Sequence, residues 1–62
     1  MPTFMQDLLN LLEQQQTPEN RFSVFYNWIL NEGIVLSEEE YILVTRFCDS
    51  LDRTDLNTFY GI

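Results

Sequence analysis

Three features of this 62-residue sequence have residue types and spacings that could support chemistry. They are the run Glu38-Glu39-Glu40, the aspartates Asp49, Asp52 and Asp55 at three-residue intervals, and the lone thiol of Cys48. Adjacent glutamates could hold a cation or meet a basic partner. Here they follow Ser37 in a Ser-x-x-Glu capping box, and carboxylates in a first helical turn offset the positive end of the helix dipole. The aspartates resemble a calcium loop only in outline. An EF-hand needs oxygen ligands at alternate positions, a glycine at the sixth and a glutamate at the twelfth. Leu51 interrupts that alternation and both later residues are missing, so no metal site is expected. Cys48 has no histidine to activate it and falls on an apolar helical arc, where a free cysteine behaves as a small core residue.

The chain contains no histidine and no lysine. General acid–base work would fall to carboxylates, Cys48, Tyr26, Tyr41 and Tyr60, in a core too small to enclose a deep pocket. Only Gly33 and Gly61 are present, so no glycine-rich phosphate loop can be built. We expect no catalytic residues, no cofactor and no enzyme activity.

Ten carboxylates against three arginines give a net charge of −7. Nucleic-acid affinity comes largely from Lys and Arg neutralising phosphates, and three scattered arginines (Arg21, Arg46, Arg53) do not supply it. Anionic membrane surfaces are disfavoured for the same reason. Met1-Pro2-Thr3-Phe4 carries no cationic segment, and the nearby apolar stretch is broken by Asn10. Neither a signal peptide nor a membrane span is expected, and the opening methionine reads as the start of a whole open reading frame. One thiol allows no internal disulfide and fits a reducing, cytoplasmic setting. Apolar residues at 45% and aromatics at 15% are too many for a disordered chain at this charge.

These groups must be held by a small helical scaffold, one domain over residues 1–62. Surface scaling for 7.4 kDa gives about 4,200 Å² exposed when folded. Burial then contributes roughly 95 kcal/mol against roughly 90 kcal/mol of ordering, so the balance is close to zero. The spacing predicts an all-α bundle of three helices, about 4–15, 18–32 and 38–51, with residues 55–60 either a short fourth helix or an ordered tail. Helix one places Phe4, Met5, Leu8, Leu9, Leu11 and Leu12 on one arc of about 160°, with Thr3 as its cap. Thr17-Pro18-Glu19 is a strong start for helix two, and Gly33 a natural stop. Phe22, Phe25, Tyr26, Ile29 and Leu30 form its apolar face. In helix three, Tyr41, Leu43, Val44, Phe47, Cys48 and Leu51 share an arc. At the end, Thr54 would cap Leu56, Phe59 and Tyr60 as they dock on the bundle.

Helices two and three resemble a helix-turn-helix in outline, but the end that would meet DNA is Glu38-Glu39-Glu40, which phosphates repel. The terminal Phe59-Tyr60-Gly61-Ile62 is read as packing rather than as a ligand for a carboxylate-binding groove. Apolar residues off the core arcs are more informative: Val24 and Trp28 on helix two, and Ile42 on helix three among Glu38, Arg46 and Asp49. With Glu32 and Asp49 they make the candidate partner-binding set, since tryptophan is enriched at binding hot spots. The function expected is a small acidic interaction module that regulates, inhibits or adapts a larger protein with a basic surface. On that view Trp28→Ala weakens binding and leaves the thermal melt nearly unchanged. Two alternatives stand beside it. One is a nucleic-acid mimic that occupies a phosphate-binding groove on a DNA- or RNA-binding protein. The other is a homo-oligomeric bundle, a homodimer burying Val24 and Trp28.

Overall fold

The computed structural model describes residues 2–61. Four helices follow one another: α1 (Thr3–Glu13), α2 (Pro18–Glu32), α3 (Glu38–Ser50) and α4 (Thr54–Tyr60). The described residues contain no strand, and none of their helices is long and apolar enough to cross a membrane. The bundle measures 28 × 25 × 19 Å and exposes 3966 Å², close to the roughly 4,200 Å² expected for its mass. α2 packs between α1 and α3, and α4 lies against α3. Ile62, the last residue of the C-terminal motif, lies outside the described residues.

Two helix starts are those the sequence specifies. Thr17 accepts from the Asn20 N–H at 3.2 Å with Pro18 in the first helical position, and Ser37 and Glu40 close a reciprocal capping box with both bonds at 3.1 Å. The other two differ. Thr3 is already helical and makes no cap; Pro2 precedes it, and the Pro2 carbonyl accepts from the N–H groups of Met5 and Gln6, both at 3.1 Å. α1 also stops at Glu13, because Gln14 and Gln15 bond back three residues to Leu11 and Leu12 and tighten the last turn. Thr54 likewise opens α4 from within. Its N–H (2.9 Å) and hydroxyl (2.6 Å) donate to Asp52 Oδ1, so Asp52 supplies the turn that starts the helix.

α2 ends at Gly33 in the left-handed conformation, φ 63°. α3 ends on Leu51, also left-handed at φ 58°, where a non-glycine residue carries a penalty of about 1–2 kcal/mol. Leu51 is therefore a helix terminator 39% exposed, not a core residue.

Ten side chains form the core: Met5, Leu8, Leu9 and Leu12 from α1, Phe25 from α2, Leu43, Val44, Phe47 and Cys48 from α3, and Leu56 from α4. α2 has the most apolar circumference, yet Phe25 is its only fully buried hydrophobic residue. Its apolar positions from Val24 round to Leu30 span about 240° at 100° per residue, more than two neighbours cover. Tyr26 and Leu30, expected in the core face, remain 46% and 78% exposed. Val24 and Trp28, placed off that face, are partly buried and pack against the core.

α2 also buries a charge. Arg21 is 5% exposed, with Nε donating to the Cys48 carbonyl and one terminal nitrogen to the Gln15 carbonyl at 3.1 Å. Both carbonyls lie at helix ends, one in the last turn of α3 and one just past α1, where no intrahelical donor remains. Neither helix has a basic residue in its last turn, so α2 supplies the cation for both.

Candidate functional site

The structure divides the five candidate partner-binding residues. Val24, Trp28 and Glu32 come together in a groove of about 290 Å³ between α1 and α2, completed by Leu11, Asn27 and Asn31. Phe4 and Trp28 stack with ring centroids 6.2 Å apart and planes 21° apart, which fixes the indole as part of the groove. Because Trp28 also supports α1, Trp28→Ala should remove packing and lower the melt, against the nearly unchanged melt expected from the sequence.

Ile42 and Asp49 lie elsewhere, on α3. Ile42 is 43% exposed in a shallow concavity of about 430 Å³ with Glu38, Glu39, Leu43 and Arg46. Every wall of that larger space comes from α3 alone, so a ligand there would stay mostly in water. The groove between two helices is the better-built site. Asp49 is exposed beyond it.

All three arginines are tied within the fold. Arg53 Nε meets Glu13 at 2.8 Å, a terminal nitrogen donates to Asn10 Oδ1 at 3.0 Å, and its guanidinium lies 5.8 Å from the Phe47 ring centroid. Arg46 faces Asp55 at 3.6 Å, and Arg21 is buried. Glu13 thus clamps α1 to the α3–α4 loop, and Asp52 starts α4. Asp7, Glu19, Glu32, Glu38, Glu39 and Asp49 form no ion pair with an arginine among the described residues. The acidic surface is largely uncompensated.

Glu40 joins α3 to α4. One carboxylate oxygen belongs to the capping box, and the other accepts from the Tyr60 hydroxyl. That bond, ahead of the capping contacts, holds the Glu40 pKa below its ordinary 4.5, although partial burial opposes it. Burial first, and the Glu40 carboxylate second, push the Tyr60 phenol up. A depressed carboxyl pKa contributes stability that is present above the unfolded value and lost as pH falls through the folded one. The raised phenol adds stability present below its unfolded value and lost at alkaline pH. Tyr60→Phe should therefore cost about 1 kcal/mol at pH 7, since solvent screens this half-open pair. The deficit should shrink as pH falls below 4.5 and through the lowered Glu40 value, as read from paired thermal melts of the two proteins.

Cys48 is fully buried, and burial raises its thiol to about 11. Alkylation at pH 8 should run about two orders of magnitude slower in the native protein than in urea. Equal rates would place the thiol at the surface. Groups of three or more metal-capable side chains do not occur among the described residues.

Sequence reasoning missed a second exposed apolar area. Tyr26 and Tyr41 join α2 to α3 through hydroxyls 2.8 Å apart and rings 6.4 Å apart, and that bond raises the Tyr41 pKa. Leu30, one turn beyond Tyr26, and Val35 in the α2–α3 connection are 78% and 94% exposed. No periodicity marks these residues, since Tyr26 and Leu30 fit the helical core pattern as well as Phe25 does.

No known protein family, curated protein or solved structure matches this chain. Fold and surface define a small acidic four-helix domain with a tryptophan-floored groove.

Proposed function

We propose that the chain is a non-enzymatic interaction module that docks a larger protein with a basic surface in the α1–α2 groove. One observation carries this reading: the groove with the chain's only tryptophan is rimmed by Glu32, on a protein whose arginines are all tied internally. Apolar contact with Trp28, Val24 and Leu11 supplies affinity, and the −7 charge speeds encounter with a cationic partner. Binding acts by occupying or recruiting that partner, with no reaction at the site.

The test is a pull-down from native extract with wild type and with Asn31→Arg, an exposed change that crowds the groove and cancels the Glu32 charge beside it. The same partner retained by wild type in low salt and lost by the variant supports the reading. Retention by both removes the groove from it. Loss of the partner to competing DNA would favour the nucleic-acid mimic instead.

A homo-oligomer has its own motivating observation, the exposure of Leu30, one turn from the half-exposed Tyr26, and of Val35 in the following connection. It uses a face other than the Val24–Trp28 face expected from sequence. Sedimentation equilibrium at tens of micromolar decides it: a 7.4 kDa species rules the oligomer out.

A further inference from the structure

The lining of the α1–α2 groove specifies the form of its occupant as well as the charge. We infer that the groove grips an extended, lysine- or arginine-bearing segment of the partner by its backbone, through the amides of Asn27 and Asn31. This inference rests on the groove being the docking site.

Asn27 and Asn31 are one turn apart on α2, both exposed and both lining the groove. Their positions are separated by about 6 Å along the helix axis. Alternate residues of an extended chain are about 6.6 Å apart and turn their N–H and C=O groups toward the same side. A primary amide offers one acceptor and a donor pair, which match a peptide N–H and C=O. Two such amides one turn apart fit two alternate peptide units of a single strand. A helical occupant would present nothing for them, because its backbone groups are already bonded within the helix.

The remaining lining agrees with a strand. Leu11, Val24 and Trp28 make an apolar floor, and about 290 Å³ takes one or two side chains rather than a helix 10–12 Å across. Side chains of a strand alternate, so one set enters the groove while the other faces water. Among the described residues Glu32 is the only ionised side chain lining the groove, and it meets a cationic side chain at its end. An indole beside that position also favours a guanidinium or ammonium whose stem lies along the ring. A second copy of this chain is a poor source, having no lysine and three arginines already bound.

The single tryptophan makes the test direct, because all indole emission comes from a residue lining the groove, and an unchanged far-UV signal separates binding from unfolding. The probe is an eight-residue peptide of alternating lysine and valine with blocked ends. Controls are its glutamate–valine counterpart and two versions N-methylated at alternate amides, one in each phase. The lysine peptide should shift Trp28 emission saturably and the glutamate peptide should not. N-methylation in one phase should weaken binding several-fold more than in the other. Asn27→Ala and Asn31→Ala should each weaken it about fivefold, one hydrogen bond's worth, with unchanged melts. Equal affinity of parent and both methylated peptides, or of wild type and both alanine variants, overturns the backbone grip. So does the absence of any emission shift at about 1 mM peptide, a Kd weaker than about −4 kcal/mol of binding. If those failures occur while Asn31→Arg still abolishes partner capture, the docking site stands and only the extended-segment inference falls. Capture that survives Asn31→Arg removes the docking site itself.

Discussion

Replacing Arg21 by alanine should lower the stability of the domain by about 3 kcal/mol and its melting temperature by about 15 °C. The side chain is 5% exposed and donates to carbonyls of Cys48 and Gln15. Removing it leaves both acceptors without a protein donor at about 1–3 kcal/mol each, and water reaches the one beside Gln15 more easily. It also removes the cation that bonds the free carbonyls at the C-terminal ends of α1 and α3. For 62 residues the total stability is roughly 3–9 kcal/mol, so the variant should be close to unfolding at 37 °C. Arg21→Met separates the two contributions, because it keeps the aliphatic stem and removes the donors. A Met variant as unstable as Ala assigns the effect to hydrogen bonding. A change below about 0.5 kcal/mol for Ala, measured by urea titration of the far-UV signal, would show that water replaces the guanidinium at both carbonyls.

Nothing about Arg21 was legible in the sequence. It stands in the first turn of α2 beside Glu19 and Asn20, where charged residues are ordinarily solvated, and its two acceptors are backbone atoms outside its own helix. Side-chain types carry no record of such partners. By contrast, Thr17-Pro18, Ser37 with Glu40, and Gly33 act on backbone groups within three or four residues, and each does what its chemistry specifies. The α1 arc was equally readable because one face of that helix is apolar and the other is not. α2 was hard to read for the opposite reason. Its apolar positions occupy more circumference than its neighbours cover, and only tertiary placement decides that Phe25 goes inside while Leu30 stays out.

The candidate site has the same mixed legibility. Val24, Trp28 and Glu32 share one groove because they follow i, i+4, i+8 on one helix, which the sequence displays. Ile42 and Asp49 belong to a different helix whose rotation about its axis is set by Leu43, Val44 and Phe47, and that rotation carries them away from the groove. Asn27 and Asn31, one turn apart on α2, carry no mark of a site in the sequence. They become part of a groove only when Leu11 from α1 closes the other wall.

Truncating Leu56 to alanine should cost about 2–4 kcal/mol, while Phe59→Ala, 38% exposed, should cost less than half as much. Seven residues do not sustain a helix in water, so α4 persists through what it buries and what ties it down. Leu56 is its one fully buried side chain; Asp52 starts it, Asp55 reaches Arg46, and Tyr60 donates to Glu40. The three polar ties are exposed or half-open and individually weak, so burial of Leu56 contributes most to holding α4 in place. Because Leu56 belongs to the same core cluster as Phe47 and Leu9, loss of α4 exposes the centre of the bundle rather than a separate edge. The Leu56→Ala melt should therefore remain a single transition, with far-UV ellipticity and Trp28 emission falling together. Trp28 sits on the α1–α2 side and α4 packs against α3, so Trp28 emission watches the far end of the fold while ellipticity sums all four helices, α4 included. An early ellipticity loss with unchanged Trp28 emission would make α4 an appendage on a three-helix unit that holds the groove without it.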